Sequence, residues 1–539
     1  MRYNGDMISV TGTRLPSLEE AAAFSPQQIV DLAGAHLNLR REVEVLKHQL
    51  DWFKRQIFGE KSERRIIDGA GGQMNLGEVI ALGQTAYPPS PAEHAVAAHT
   101  RRQGTKKPDT GDDSVPFFDE TRVPIEVIEL SAPEAEGLAP EAFEVIGHKD
   151  SYRLAQRPGS TVVLKYRRPV IKIKATQAIV CPKAPAGVID GSRADVSFIA
   201  GLLVDKFAYP LPFYRQHQRL SDAGITVSRP WLTQIGQQGI ALLEPVYEAQ
   251  FASIRASRVK AMDETPIKAG RAGPGKLNAA YFWPVYGQQD EVCFPFFGSR
   301  RAEHVEQALG LTHAEGAVLL SDGYSAYAHY ANKTGLTHAQ CWAHTRRGFF
   351  EAQGVEPQAA GEALDLIGGL YAVEEQIRER QLNATRKRDY RLMHAKPIVE
   401  QFFAWVNRQF ESQGLLPSNP LTRALAYARE RRGALEVYLT DPDVPIDTNH
   451  LERALRVIPM GRKNWNFCWT ELGAKQVGIM QSLIVTCRLH QIDPYDYLVD
   501  VLQRVGEHPA SRVDELTPRL WKTLFAGNPL RSPLHRLRT

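Results

Sequence analysis

The 539-residue chain has only five cysteines, and no two of them stand at metal-binding spacing. They lie at positions 181, 293, 341, 468 and 487, and no Cys-x-x-Cys motif occurs. This scatter excludes a disulfide framework, and it excludes a zinc module built from four cysteines.

Long apolar runs are also missing. No segment approaches the roughly 20 residues that a membrane-spanning helix needs, and the N-terminus lacks the basic-then-apolar pattern of a signal peptide. We therefore expect a cytoplasmic protein with no membrane partner. The formal net charge is only +4, but basic residues cluster, which is weak evidence for a polyanionic partner.

The length predicts three to four folded units, and the first, residues 1–67, contains a heptad pattern. One seam recurs every seven residues and a second lies between its members: Leu32, Leu39, Leu46 and Phe53, then Val43, Leu50 and Ile57. Such spacing predicts a coiled coil that pairs protomers, so we expect a homo-oligomer, at least a dimer. The alternative is an amphipathic helix packed on its own core.

Two segments of different composition follow. Residues 68–122 are rich in Gly, Pro, Ala and Ser, which predicts a flexible linker. Residues 123–190 contain short alternating apolar runs and predict a small β-rich module.

A helix-turn-helix is predicted within residues 191–250. Helix signals cover Phe213 to Asp222, Gly224 interrupts them, and Ser228 caps a second helix with Pro230 in its first turn. This plan places the second helix, which begins near Arg229, where it can enter a major groove. A plain helical hairpin is the alternative.

Beyond residue 250 the pattern is α/β. Successive strands are predicted at "VKAMDETPI", "AAYFWPVYG", "EVCFPFFG" and "GAVLLSDGY", and "HAQCWAHTRRGFFEA" turns from a strand end into a helix. Residues 354–440 are almost wholly helical in pattern, and 491–539 form a helical C-terminal region with a basic tail.

Two acids stand at strand ends in this segment. Asp263 ends one apolar run and Asp322 follows another. Charged groups at the ends of core strands are costly unless they are paired or bind a metal. Two Mg²⁺ ions held by such carboxylates can promote an in-line phosphoryl displacement, and a helix that carries Glu452 can supply a third acid. Glu264 is a rival to Asp263, but strand alternation puts the two on opposite faces.

Each acid taken alone favours a simpler interpretation. Asp322 before Gly323 is typical of a turn, and Glu452 is typical of a solvated partner of Arg456. Asp447 is interpreted as a helix cap. Only the joint order of strand Asp, strand Asp and helix Glu points to a metal site.

The motifs "DETPI", "SDGYSAY", "CWAHTRRGFF" and "DTNHLERALRVIPMGRKNWNF" resemble, in order, those of the insertion-sequence-66 family of bacterial transposases. The resemblance implies an RNase H-like catalytic domain of the DDE type in residues 251–353 and 441–490, interrupted by the helical insertion. The separation of the last two acids, 452 − 322 = 130 residues, agrees with such an insertion. The expected fold class is therefore a multidomain α and α/β protein.

The resemblance also implies ligands and partners. Asp263, Asp322 and Glu452 would be catalytic metal ligands for Mg²⁺, for which Mn²⁺ can substitute. The partners would be terminal inverted repeats, target DNA and two small accessory proteins of the same element, with a location at the bacterial nucleoid. Zinc is not expected, because only Cys181 remains where relatives carry paired cysteines.

Several further residues are candidates for DNA contact or site support. We expect phosphate contacts from the basic residues Arg229, Arg346, Arg347, Arg453, Arg456, Arg462 and Lys463. Trp465 and Phe467 could stack on a base or pack in the core. Cys341, His344 and Asn449 are candidates for active-site support, the alternative being a buried cysteine and a hydrogen-bonded histidine.

The expected function is thus DNA strand cleavage and strand transfer. The alternatives are a non-catalytic regulator that uses only its coiled coil and helix-turn-helix, and a metal nuclease without strand transfer.

Overall fold

The computed structural model describes residues 24–37, 39–40, 116–121, 123–136, 138–157, 159–412, 416–465, 468 and 470–536. These residues belong to two compact units. The first contains the described parts of residues 1–94, 345–369 and 398–430, and the second contains those of residues 95–344, 370–397 and 431–539. Within the described ranges, no helix is long and apolar enough to cross a bilayer.

The N-terminal heptad region is described only at its start. Residues 26–37 and 39–40 are helical. Leu32 and Leu39, two positions of the first seam, are 56% and 60% exposed. The other seam positions, Val43, Leu46, Leu50, Phe53 and Ile57, lie outside the described residues, so the coiled coil stays a prediction.

The predicted β-rich module is a four-stranded sheet. Its strands are β1 (Ile125–Glu129), β2 (Phe143–Arg157), β3 (Ser160–Ile173) and β4 (Ile179–Val180). Strands β2 and β3 form a long antiparallel hairpin, β1 joins β3 in parallel, and β4 pairs with β3. The hairpin reverses beside Gly159, whose φ of 82° suits glycine.

Three helices follow: α1 (Val196–Phe207), α2 (Phe213–Asp222) and α3 (Arg229–Ala256). The limits of α2 and the start of α3 agree with the sequence prediction. Gly224 has a φ of 88° in the turn, and the Ser228 hydroxyl accepts a hydrogen bond from the Trp231 amide, as an N-cap should.

The turn between α2 and α3 is held by a segment that the composition placed at the end of the linker. Phe118 forms a β-bridge with Ile225, and the Thr226 amide donates to the Phe117 carbonyl at 3.0 Å. Both phenylalanines are buried. Residues 116–121 are therefore part of the folded unit.

Eight further strands form two sheets. They are β5 (Val259–Met262), β6 (Thr265–Gly273), β7 (Lys276–Phe282), β8 (Val285–Gly287), β9 (Val292–Cys293), β10 (Phe296–Phe297), β11 (Val318–Ser321) and β12 (Thr337–Gln340). The five-stranded sheet has the order β12-β11-β5-β8-β9, and the three-stranded sheet has the order β10-β7-β6. In the larger sheet β5, β11 and β12 are parallel, whereas β8 and β9 are antiparallel to their neighbours.

Three of the apolar runs predicted as single strands are each divided between the two sheets. The breaks fall at Asp263, at Pro284 and at Pro295, which lie between β5 and β6, β7 and β8, and β9 and β10. Proline lacks the amide hydrogen that a ladder needs. Each run therefore contributes one strand to each sheet, which periodicity alone did not reveal.

The remaining elements of the described residues are helical, in agreement with the helical sequence pattern of residues 354–440 and 491–539. They are α4 (Glu303–Leu309), α5 (Ser325–Thr334), α6 (Trp342–Ala352), α7 (Pro357–Glu379), α8 (Ala384–Tyr390), α9 (Lys396–Ser412), α10 (Pro420–Glu430), α11 (Arg432–Thr440), α12 (Asn449–Leu455), α13 (Val457–Trp465), α14 (Glu471–Leu489), α15 (Pro494–Arg504), α16 (Pro518–Leu524) and α17 (Pro533–Arg536). A π-helical turn, Arg391–Ala395, joins α8 to α9.

Helix α14 packs closely on the sheet edge, and this packing can be tested at Gly478. A Cβ at this position would collide with the Phe294 backbone carbonyl oxygen, which cannot rotate aside. We expect Gly478→Ala to lower the free energy of unfolding by about 1–3 kcal/mol, measured by urea unfolding. Gly433→Ala in α11 is the control, because a Cβ there meets open space. Equal stability of the two variants would contradict the packing.

Candidate catalytic site

Asp263 and Asp322 lie at the same edge of the five-stranded sheet. Strands β5 and β11 run in parallel with Ala261 opposite Leu320, so their carboxyl ends coincide. Asp263 follows Met262 at the end of β5, and Asp322 follows Ser321 at the end of β11. The Asp322 carboxylate accepts the Tyr324 amide at 2.9 Å, which shapes the turn into α5.

Glu264 joins this pair, contrary to the expectation from alternation. Ligand atoms of Asp263, Glu264 and Asp322 lie within 4.8 Å of one another, and among the described residues this is the group that could share a metal ion. The expectation that Asp263 and Glu264 point to opposite faces was wrong, because β5 ends at Met262. The chain leaves the ladder before Glu264, so its side chain is free to turn toward the aspartates.

Glu264 is held by partners that the sequence prediction missed. The Tyr327 hydroxyl donates to it at 2.5 Å, and the Arg300 guanidinium donates through two nitrogens. Arg300 also lies over the Tyr324 ring at 4.3 Å. One local signal in the sequence indicated these partners, namely the spacing of the tyrosines after Asp322. Tyr324 lies just before α5 and Tyr327 lies in its first turn.

Glu452 approaches from α12. It lies in the first turn of that helix, as predicted, and its amide donates to the Thr448 carbonyl at 2.9 Å. Its carboxylate is 3.7 Å from the His344 Nε2 atom. Glu452 is not one of the three acids whose ligand atoms lie within 4.8 Å of one another, but its negative charge, second to burial, helps to raise the pKa of Asp263.

Burial makes ionisation of Asp263 and Glu264 unfavourable. Burial, followed by the charge of Glu452, raises the pKa of Asp263 to about 8, although the Glu264 amide opposes the shift by donating to Asp263 at 2.7 Å. Burial also raises the pKa of Glu264, against the opposing hydrogen bond from Tyr327. Crowded oxygen donors with raised pKa values are suited to a hard divalent cation.

Cys341 positions the Glu452 helix. Its sulfur accepts the amide and the hydroxyl of Thr448, both at 3.2 Å. The next amide, that of Trp342, donates to the Ile446 carbonyl. Burial raises the pKa of the Cys341 thiol. These contacts fasten the start of α12 to the end of β12, beside Asp322.

Asn449 contributes to the same turn by pairing with Asp447. Its amide and its side-chain nitrogen both donate to the Asp447 carboxylate, at 3.0 and 2.6 Å. The N-cap of α12 is Thr448, so Asp447 lies one residue before the cap and holds the start of the helix through Asn449.

The segment that precedes α12 is pinned at two further points. Arg258, just before β5, pairs with Asp441 and Asp443. Arg391 is fully buried and forms two hydrogen bonds with Glu374. It also donates to three backbone carbonyls between positions 438 and 444.

The candidate DNA-contacting residues occupy different surroundings. Arg229, Arg346, Arg347, Arg453 and Arg456 are exposed, whereas the Arg462 guanidinium donates to the Pro266 carbonyl. The side chains of Lys463 and Trp465, and all of Phe467, lie outside the described residues.

Comparison with protein-family models gives three matches. Residues 191–476 match the model described as transposase IS66 family, and residues 482–519 match the IS66 C-terminal element. Residues 45–112 match a model described as transposase C of IS166 homeodomain. The first match includes Asp263, Glu264, Asp322 and Glu452.

Curated relatives include three uncharacterized proteins of Sinorhizobium fredii. The protein y4qI is 32% identical over 402 residues, which cover 69% of this chain and 71% of y4qI. The proteins y4hP and y4jD are 27% and 28% identical and cover 92% and 93% of this chain, with 97% and 98% of their own lengths. The similarity therefore extends along nearly the whole chain.

The crowding of acids leads to a stability prediction for Asp263→Asn. An unfolded Asp loses its proton near pH 4, whereas folded Asp263 keeps it up to about pH 8. The folded state thus binds the extra proton between these values, and its stability falls as the pH rises. The loss amounts to about 1.4 kcal/mol per pH unit between these values. Asparagine removes it, so we expect the variant to be more stable than the wild type at pH 8 by several kcal/mol.

The measurement is urea unfolding in the presence of a chelator, at several pH values between 4 and 8. The control is Asp365→Asn, at an exposed position on α7. We expect its stability to change with pH as that of the wild type does. An Asp263→Asn curve parallel to that of the wild type across this range would contradict the raised pKa of Asp263.

Proposed function

The chain belongs to the IS66 family of transposases, and we propose that it cuts and rejoins the ends of an insertion sequence by divalent-metal-dependent phosphoryl transfer. The observation that supports this proposal is that Asp263, Glu264 and Asp322 lie close together at one sheet edge. In addition, the charge of Glu452 helps to raise the pKa of Asp263.

Mg²⁺ fits this donor set, with Mn²⁺ as a substitute. Asp263, Asp322 and Glu452 would hold two ions, and Glu264 is a further carboxylate within reach. When bound, Mg²⁺ supplies stabilisation of the negative charge on the transferred phosphoryl group. Water would be the nucleophile for strand cleavage, and a 3′-hydroxyl for strand transfer.

The strand order supports an RNase H-like catalytic domain. In the order β9-β8-β5-β11-β12, the neighbours among β9, β8 and β5 are antiparallel. Strands β11 and β12 run parallel to β5. This arrangement brings the ends of β5 and β11 side by side, where the two aspartates lie. The helices between β12 and α12 then form the insertion.

Exposed arginines beside the acids would hold the DNA backbone. Arg453 and Arg456 project from α12 and its C-terminal end, close in sequence to Glu452, and Arg300 lies next to Glu264. Such contacts neutralise phosphates and fix the position of the strand without reading its sequence. The element ends would be held together by a homo-oligomer formed through the N-terminal heptads, with accessory proteins of the same element as further partners.

The catalytic proposal predicts the loss of strand cleavage in Asp322→Asn and Glu452→Gln. Neutral amides keep the size of the side chains but bind Mg²⁺ weakly, so we expect the cleavage of element-end DNA to fall by at least 10³-fold. The matched control is Glu471→Gln, at an exposed position on α14, which should cleave normally. Undiminished cleavage by both site variants would exclude these acids as the catalytic site, and no cleavage by the wild type would instead favour the non-catalytic regulator.

Metal binding has a readout that does not depend on activity. Mg²⁺ that binds only the folded chain raises the thermal unfolding midpoint of the wild type. We expect this rise to be absent in Asp322→Asn. Product analysis on paired ends then distinguishes strand transfer from simple nuclease action.

If Arg453 and Arg456 contact phosphates, replacing both should weaken the salt dependence of DNA binding. Each lost contact reduces the slope of log K against log salt by about 0.9 on duplex DNA, so Arg453→Ala with Arg456→Ala should reduce it by about 1.8. Binding would be measured by fluorescence anisotropy between 50 and 200 mM salt. Replacing Arg432, which pairs with Glu436 on α11, is the control, and an unchanged slope in the double variant would exclude the contacts.

A further inference from the structure

Helix α3 carries an exposed face that is polar but uncharged. Between Arg229 and Glu244 it contains no ionisable side chain, and its exposed members in the first three turns include Thr233, Gln234, Gln237 and Gln238. The opposite face is buried through residues such as Leu232, Ile235 and Ile240, so the orientation of the amides is set by the core.

We propose that this face enters the major groove of duplex DNA and reads A·T base pairs at the element ends. The proposal rests on the proposed function for its partner, but it concerns a surface separate from the carboxylate cluster. It adds a set of specificity-determining residues: Thr233, Gln234, Gln237 and Gln238.

The chemistry of the face selects the base. A glutamine amide can donate to N7 of adenine and accept from its N6 amino group, whereas guanine is matched by arginine or lysine. Three glutamines and no basic residue on this face therefore favour adenine. The threonine methyl group is suited to the methyl group of thymine.

The spacing of the glutamines and the charges along α3 limit the number of base pairs that the helix can read. Gln234 and Gln238 are four residues apart and therefore about 6 Å apart along the helix axis, which corresponds to roughly two base-pair steps. Arg229 at the helix start and Arg215 on α2 are exposed and can bind flanking phosphates. Glu244 and Glu248, farther along α3, would repel phosphates, so contact is confined to the first turns.

The face is held rigidly enough to discriminate between bases. The His217 Nε2 atom is 2.8 Å from the Val227 carbonyl oxygen, and the turn is bridged to Phe118. Gly236 lies so close to the Phe213 ring that a Cβ would not fit. The glutamines themselves are exposed, so their replacement changes recognition without removing core contacts.

The test is a binding selection by the full-length chain from a library of DNA duplexes randomised over about 12 base pairs. We expect the wild type to enrich sites with adenines at three or four adjacent positions. Gln234→Ala, Gln237→Ala and Gln238→Ala should each lose the preference at one position, with binding of the enriched site weakened roughly 5- to 100-fold. Gln238→Arg should shift the preference at its position toward guanine.

Controls separate this proposal from the catalytic one. Gln358→Ala, at an exposed glutamine at the start of α7, should keep the full preference, and so should Asp322→Asn, which loses only cleavage. The triple alanine variant should still cleave DNA at saturating concentration. An enriched motif without adenines, an unchanged motif in the triple variant, or equal competition by an RNA duplex would each overturn the inference, even if cleavage requires Asp322.

Discussion

The acids at the ends of β5 and β11 are crowded, and burial makes ionisation of Asp263 unfavourable, so the surrounding structure must hold the group together against that cost. Ligand atoms of Asp263, Glu264 and Asp322 lie within 4.8 Å of one another, and the pKa of Asp263 is raised to about 8. Tyr327 and Arg300 offset part of the charge at Glu264 alone. The cluster therefore lowers the stability of the metal-free chain, which is a common cost of an active site.

The helix that carries Glu452 is supported by several segments that are distant in the chain. Glu452 is 452 − 263 = 189 residues from Asp263, and its helix is fastened by contacts with three separate segments. Cys341 accepts two hydrogen bonds from Thr448, Arg258 pairs with Asp441, and the buried Arg391 holds the carbonyls before α12. Side chains on rigid, cross-linked elements are positioned more precisely than side chains on loops, so an acid this far along the chain can still be positioned accurately.

The proposed chemistry and the proposed sequence recognition occupy different elements. Strand ends and α12 carry the acids, whereas the exposed amides lie on α3, whose orientation is set by its packing on α1 and α2. Arginine contacts with phosphates supply affinity, and amide contacts with base edges supply specificity. The base preference can therefore change on α3 while the sheet edge stays the same.

The sequence alone determined the local features. Capping and turn signals located α2 and the start of α3, because such signals act within a few residues. The order of Asp263, Asp322 and Glu452 identified the candidate acids. Tertiary structure decided what they contact: it ended β5 before Glu264, brought Arg300 to that carboxylate, and divided single apolar runs between two sheets. Those outcomes depend on packing between segments that are far apart in the chain, which short-range periodicity does not encode.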